Sequence, residues 1–208
     1  MKKIFLTILL FSATYLIACA QFIGVGVRGG MNFANVSLNT SGSTPTPNAD
    51  GKLGYQAAGI VEFGFNKLFS IAPEIIYSVQ GFKESATTLT PEINYNLNYI
   101  QVPVLARLSL GFKVGRIFLN AGPQLGLRTS AKAIASGFPD TDISSRIKST
   151  DFGIVFGGGA ALNAGPGAIF TDIRYTLGLT NINATSSGVE AKNGVFTISL
   201  GYMFKFGL

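Results

Sequence analysis

The stretch "AIFTDIRYTLGLT", Ala168 to Thr180, alternates with a period of two. Ile169, Ile173, Tyr175, Leu177 and Leu179 fall on one side, interrupted only by Thr171. Ala168, Phe170, Asp172, Arg174, Thr176 and Gly178 fall on the other. Successive side chains of a strand point to opposite faces, so this segment is a strand with one greasy face and one charged face. A water-soluble barrel or sandwich turns the greasy face inward. A strand wrapped by lipid does the reverse, and the rest of the chain decides between them.

The pattern recurs throughout. "FIGVGVRGGMNFANV" sets Ile23, Val25, Val27, Met31 and Phe33 against Gly24, Gly26, Arg28, Gly30 and Asn32. "LGYQAAGIVEFGFN" sets Tyr55, Val61 and Phe63 against Gln56, Glu62 and Gly64, and "FSIAPEIIYSVQG" sets Ile71, Ile75 and Tyr77 against Ser70, Glu74 and Ser78. In "YIQVPVLARLSL" the polar face carries Gln101, Arg107 and Ser109, and in "RIFLNAGPQLGLR" it carries Asn120, Gln124 and Arg128. "DFGIVFGGGAAL", the opening stretch and "GVFTISLGYMFKFGL" complete eight predicted strands. Each reaches the roughly 9–11 residues that a tilted strand needs to cross a bilayer. Long polar connections (37–52, about 82–95, about 129–150 and 181–193) alternate with short turns at Asn66, at "GFKVG" and at "NAGPG".

Composition narrows the choice. Hydrophobic residues make up 47% and charged residues 12% of the 208, against a usual charged fraction of about 25%. Beyond the N-terminus no run of about 18 apolar residues exists to form a membrane helix. Strands remain. An eight-stranded interior has room for little beyond its own side chains, so filling it with Phe, Tyr, Leu and Ile from every strand would overcrowd it. Turned the other way, the glycines relieve crowding in a narrow lumen and the apolar face meets lipid. An arginine facing lipid at the midplane costs about 2–4 kcal/mol, and the apolar face of the eight strands carries no arginine or lysine. The fold expected is therefore an all-β, eight-stranded antiparallel up-and-down transmembrane barrel with a polar, side-chain-filled lumen. Aromatics toward strand ends (Tyr55, Phe65, Tyr77, Tyr175, Phe204, Phe206) fit interfacial girdles. The apolar alternation of the final "YMFKFGL" resembles an outer-membrane insertion signal.

Residues 1–20 are expected to be a signal peptide and 21–208 the barrel domain. Lys2 and Lys3 precede the apolar "IFLTILLFSATYLIA", and "ACA" places cleavage between Ala20 and Gln21. "LIAC" also fits a lipoprotein box, with Cys19 as the alternative lipidation site. The single cysteine excludes an internal disulfide. The net charge of +6 comes from scattered residues, which speaks against nucleic acid as a partner.

Arg28, Glu62, Glu74, Arg107, Asp172 and Arg174 are the candidate lumen residues. They are expected to form a nearly balanced salt-bridge network, with the Asp172–Arg174 pair at its centre, since i and i+2 share a face. Pro73, Pro103 and Pro123 fall in consecutive predicted strands. Proline supplies no N–H to a ladder, so a bulge or a weakened seam is expected there.

The segments "GVGVRGGMNFANV", "FSIAPEIIYSVQGFK", "NYIQVPVLARLSL", "FLNAGPQLGL", "DFGIVFGGGAAL", "TDIRYTLGLTNI" and "GVFTISLGYMFKF" resemble the PorT-like outer-membrane β-barrel domain family of Gram-negative Bacteroidota. The resemblance follows the mature chain in order. It implies an outer-membrane barrel, and PorT itself is associated with protein secretion across that membrane. The family offers no catalytic motif to carry over.

The chain has no histidine, the usual general base of outer-membrane hydrolases and Ser triads. No metal or cofactor constellation is evident. The expectation is a monomeric, non-enzymatic barrel held in outer-membrane lipid, presenting surface loops or assisting other envelope or secretion proteins. A narrow channel for small solutes or ions is the alternative. A soluble lipid carrier is a third class, and it would stay in solution without detergent.

Overall fold

The computed structural model describes residues 20–40, 49–84, 93–135, 139–184 and 189–207. The expected leader up to Cys19 lies outside the described residues, so both the cleavage site and its lipidated alternative stay expectations. Ala20 and Gln21 directly precede the first strand.

The strands are β1 (Phe22–Thr40), β2 (Ala49–Gly64), β3 (Phe69–Glu84), β4 (Ile93–Phe112) and β5 (Gly115–Ala135). The two-residue β6 (Thr141–Asp142) follows, then β7 (Thr150–Ala164), β8 (Gly167–Gly178) and β9 (Val189–Gly207). Each long strand pairs antiparallel with the next, and β9 returns to β1 from Phe22↔Gly207 to Thr40↔Val189. With β4 also paired to β5, eight strands close into a cylinder, while β6 only extends the edge of β5. Closure leaves none of these eight with an unpaired edge, the condition for strands in hydrocarbon.

Short turns lie at one end. In the β2–β3 turn the Asn66 side chain accepts the amides of Leu68 and Phe69 at 2.8 Å each, an Asx turn. In the β7–β8 turn Gly165 sits at φ 58°, a left-handed conformation that disfavours a Cβ. Both ends of the described barrel, Phe22 and Gly207, lie at this short-turn end.

The faces fall as the alternation requires. Ile75 and Leu119 are each 66% exposed on the outer wall, and Phe156, Leu177 and Ile198 are exposed there too, whereas Arg28, Glu74 and Arg174 are buried in the lumen. On the outside, Phe33, Phe196, Tyr175 and Phe156 lie in register across β1, β9, β8 and β7. Phe206 lies ten residues along β9 from Phe196. At about 3.3 Å per residue and a tilt near 40°, that separates the two aromatic levels by roughly 25 Å, the height of an outer-membrane apolar band.

The lumen carries the expected polar side chains, and Ile60, Phe118, Phe170 and Met203 are buried among them with Ala72, Ala161 and Ala168. Alternating bulky side chains with glycine makes this fit: a Cβ at Gly201 would lie 2.5 Å from the Phe170 ring. At the prolines the ladder is interrupted, as an irregularity there implies, but without a bulge. The β3–β4 register is the same at Pro73↔Val104 and Ile76↔Gln101, and the β4–β5 register is the same at Pro103↔Gln124 and Ala106↔Ala121. The intervening positions, where Glu74 faces Pro103 and Val104 faces Pro123, carry no ladder pairing. Each proline removes one donor, and the pairs on either side hold the register. Shifts of register lie elsewhere, between Gly51 and Gln56 and at Asn98–Tyr99.

Candidate functional site

The lumen is filled in layers, and neighbouring strands supply each one. Nearest the short turns, Glu62 of β2 is fully buried. Arg116 donates to both its oxygens at 2.8 Å, Arg107 donates at 2.9 Å and the Ser70 hydroxyl donates at 2.8 Å. Arg107 also donates to Asn120 at 2.8 Å, and its guanidinium lies 4.6 Å from the centre of the Phe118 ring. The carboxylate therefore has four donated bonds, and one guanidinium stacks on an aromatic face.

One layer up, Glu74 of β3 accepts Arg174 through two bonds of 2.8 and 2.9 Å and Arg28 at 2.9 Å. Arg174 reaches back along β8 to Asp172 at 2.7 Å, and Asp172 also accepts the Ser199 hydroxyl. Arg28 closes the ring on Ser199 at 3.2 Å. Above it, Thr197 donates to Asn32 at 3.0 Å and Asn32 donates to Ser78 at 2.9 Å. The space remaining between Arg28, Arg174, Gln56, Gln101 and Gln124 is a cavity of about 10 Å³, at the lower limit for one water.

The long-loop end is closed differently. Leu97, Tyr99, Ala131 and Ala191 pack with Ile143 and Ile182. Ile143 and Ile182 come from the β6–β7 and β8–β9 connections, so loop residues fold over the top of the barrel as an apolar cap. Beneath it, Asp151 accepts Asn193 and Thr180 at 2.7 Å each.

All six predicted lumen residues lie in these two charged layers, but the arrangement differs from expectation in two respects. Glu62 and Glu74 are the hubs, each bonded to two arginines, and Asp172–Arg174 flanks the second. A glutamate reaches farther across the lumen than an aspartate, so it can gather guanidiniums from several strands. Arg116 was not among the predicted residues, although it continues the Asn120–Phe118 face backward by two and period two marks it. With Arg116 included, four arginines face three carboxylates. The upper layer balances (Arg28 and Arg174 against Glu74 and Asp172). The lower one does not.

The outer membrane protein β-barrel domain family matches residues 19–184. The chain belongs to this family. Its localisation follows as the outer membrane of a Gram-negative cell. No curated protein matches the chain. Among solved structures, OprG of Pseudomonas aeruginosa shares 10% identity at a TM-score of 0.55, covering 89% of this chain and 96% of OprG. Neisserial surface protein A shares 15% identity at a TM-score of 0.48, covering 88% and 97%. Ail of Yersinia pestis, solved with the heparin analogue sucrose octasulfate, shares 16% at 0.44, covering 88% and 99%. At such identities the likeness to OprG speaks to fold alone.

Proposed function

We propose that this chain is a closed, non-catalytic barrel that acts through the surface it presents at its long-loop end, as a structural or interaction protein of the outer membrane. The observation that carries this reading is the filled lumen. Two charged layers and an apolar cap stand in series, and the cavity beside Arg28 and Arg174 of the upper layer is only about 10 Å³. Outer-membrane barrels place short turns in the periplasm and long loops outside, so the termini are assigned to the periplasm. The segments that resemble PorT-like proteins favour, among interaction roles, an accessory to protein export. The absence of histidine from the sequence supports a role without acid–base catalysis, and the edge-free wall supports a monomer.

Planar-bilayer recording on the refolded protein tests the closed lumen: no steady open-channel current is expected, and discrete conductance steps would favour the narrow channel instead. Crosslinking and pull-down from solubilised outer membranes tests the interaction role. Specific co-purification of an envelope protein, lost when the 136–149 connection is replaced by a short Gly-Ser linker, is the expected result. Retention of that partner by the linker variant would count against the loops.

A further inference from the structure

The unbalanced lower layer opens onto a vestibule of about 610 Å³ at the short-turn mouth. Phe22, Lys67, Ser109, Arg116, Asn163 and Lys205 line it, and no carboxylate does so among the described residues. Behind this lining, Glu62 is already saturated by Arg107, Arg116 and Ser70. The donors left over are buried and unpartnered among the described residues: Arg116 Nε and Ser109 Oγ, on residues that line the vestibule, and Arg107 Nη2 and Asn120 Nδ2, on residues behind it that do not. Native proteins rarely leave such groups unsatisfied, and each calls for an explanation. Three are N–H donors and the fourth is a hydroxyl that can donate. Lys205 adds a second uncompensated cation, its ammonium 5.1 Å from the centre of the Phe22 ring at the rim.

We infer that this vestibule binds a phosphate-class oxyanion, with Ser109 and the free edge of Arg116 as its inner donors and Lys205 and Lys67 as its outer cations. A tetrahedral oxyanion offers acceptors in several directions at once, which suits donors arriving from β4, β5, β9 and the β2–β3 turn. Charge-assisted bonds to such an anion are about twice as strong as neutral ones. A carboxylate would satisfy fewer of the donors. The oxyanion has two sources, free phosphate or a phospholipid headgroup. An apolar groove of about 640 Å³ shares Leu68, Ser109 and Leu110 with the vestibule and continues along Leu108, Ile117 and Leu119, which is where an acyl chain would run.

The test uses the whole refolded barrel in non-ionic detergent, titrated with inorganic phosphate by calorimetry against chloride at equal ionic strength. In parallel, native mass spectrometry after nanodisc reconstitution reads retained phosphatidylglycerol. Saturable phosphate binding is expected, weakened about tenfold in Ser109→Ala and in the double variant Lys67→Gln/Lys205→Gln. The two lysines lie outside the Glu62 bonds, so the double variant keeps the fold, as heat-modifiable gel mobility will show. Retained lipid that phosphate competes off assigns the site to headgroups; phosphate binding with no lipid retention assigns it to the free ion. Absence of saturable binding by either probe, or binding indifferent to all three substitutions, overturns the inference.

Discussion

At the scale of single residues, the energetic centre is a carboxylate enclosed by guanidiniums. Removing one partner of a buried pair leaves an uncompensated charge, and this costs about 3–5 kcal/mol. Glu62→Ala is expected to lose that much, because Arg107 and Arg116, which now meet on one Glu62 oxygen, are left facing each other without the carboxylate. Replacing the whole set (Glu62→Leu, Arg107→Met, Arg116→Met) removes every charge at once beside Ile60 and Phe118, and stability should return to within about 1–2 kcal/mol of the parent. Urea unfolding in lipid vesicles, followed by gel mobility, measures both. A large loss in the triple variant would mean that the charges themselves, rather than their mutual neutralisation, hold the layer together. Outside the bilayer, the Asp142 carboxylate accepts the Ser144 amide at 2.7 Å. Bonds from the Ser144 hydroxyl and then its amide hold its pKa below the ordinary 3.8. Its folded pKa is depressed, so this turn is fully stabilised above about pH 4 and loses that support as pH falls through the lower folded value. An NMR titration of Asp142 should give a midpoint under 3.8, moving upward in Ser144→Ala. An unmoved midpoint would rule out the hydroxyl as the cause.

At the scale of the strand, the alternation that identified the fold is set by the surroundings. Within the bilayer one face must be apolar, so period two is strict, and every predicted inward charge lands in the lumen. Above the bilayer water wets both faces and the rule lapses. For this reason β1 runs to Thr40 and β5 to Ala135, past the ends that alternation gives, and the small β6 has no signature. Arg116 was readable from parity but sat beside a turn. The cap formed by Ile143 and Ile182 was not readable, because it joins loops distant in sequence. Depth can be tested along the outer face. Ile173 sits mid-strand on β8, paired with Ile198, so Ile173→Arg should cost about 2–4 kcal/mol, whereas Phe206→Arg, near the rim, should cost about 0–1 kcal/mol. Equal costs at the two positions, measured by the same vesicle unfolding, would contradict the placement of the apolar band.

At the scale of the whole molecule, the two charged layers and the cap act in series, and this makes blockage robust to loss of any one. The upper layer is electrically neutral as a unit, so Arg28, Glu74, Asp172 and Arg174 can all be changed to Ser without stranding a charge. The lower layer with Phe118 then still fills the lumen, and current through a planar bilayer should stay at the baseline. Emptying only the lower layer (Glu62, Arg107 and Arg116 to Ser, Phe118 to Ala) should also leave the baseline unchanged, because the Glu74 ring remains. Combining the two sets removes both constrictions within the bilayer, leaving only the loop cap, which is held by far fewer backbone bonds than a barrel strand, among them the two β5–β6 pairs and the amide bonds of Ile143 to Ala131 and Ile182 to Ala191. Discrete current steps are expected in that variant alone, provided its gel mobility shows a folded barrel. Steps in either partial variant would mean that a single layer seals the barrel; silence in the combined variant would make the loop cap the true barrier.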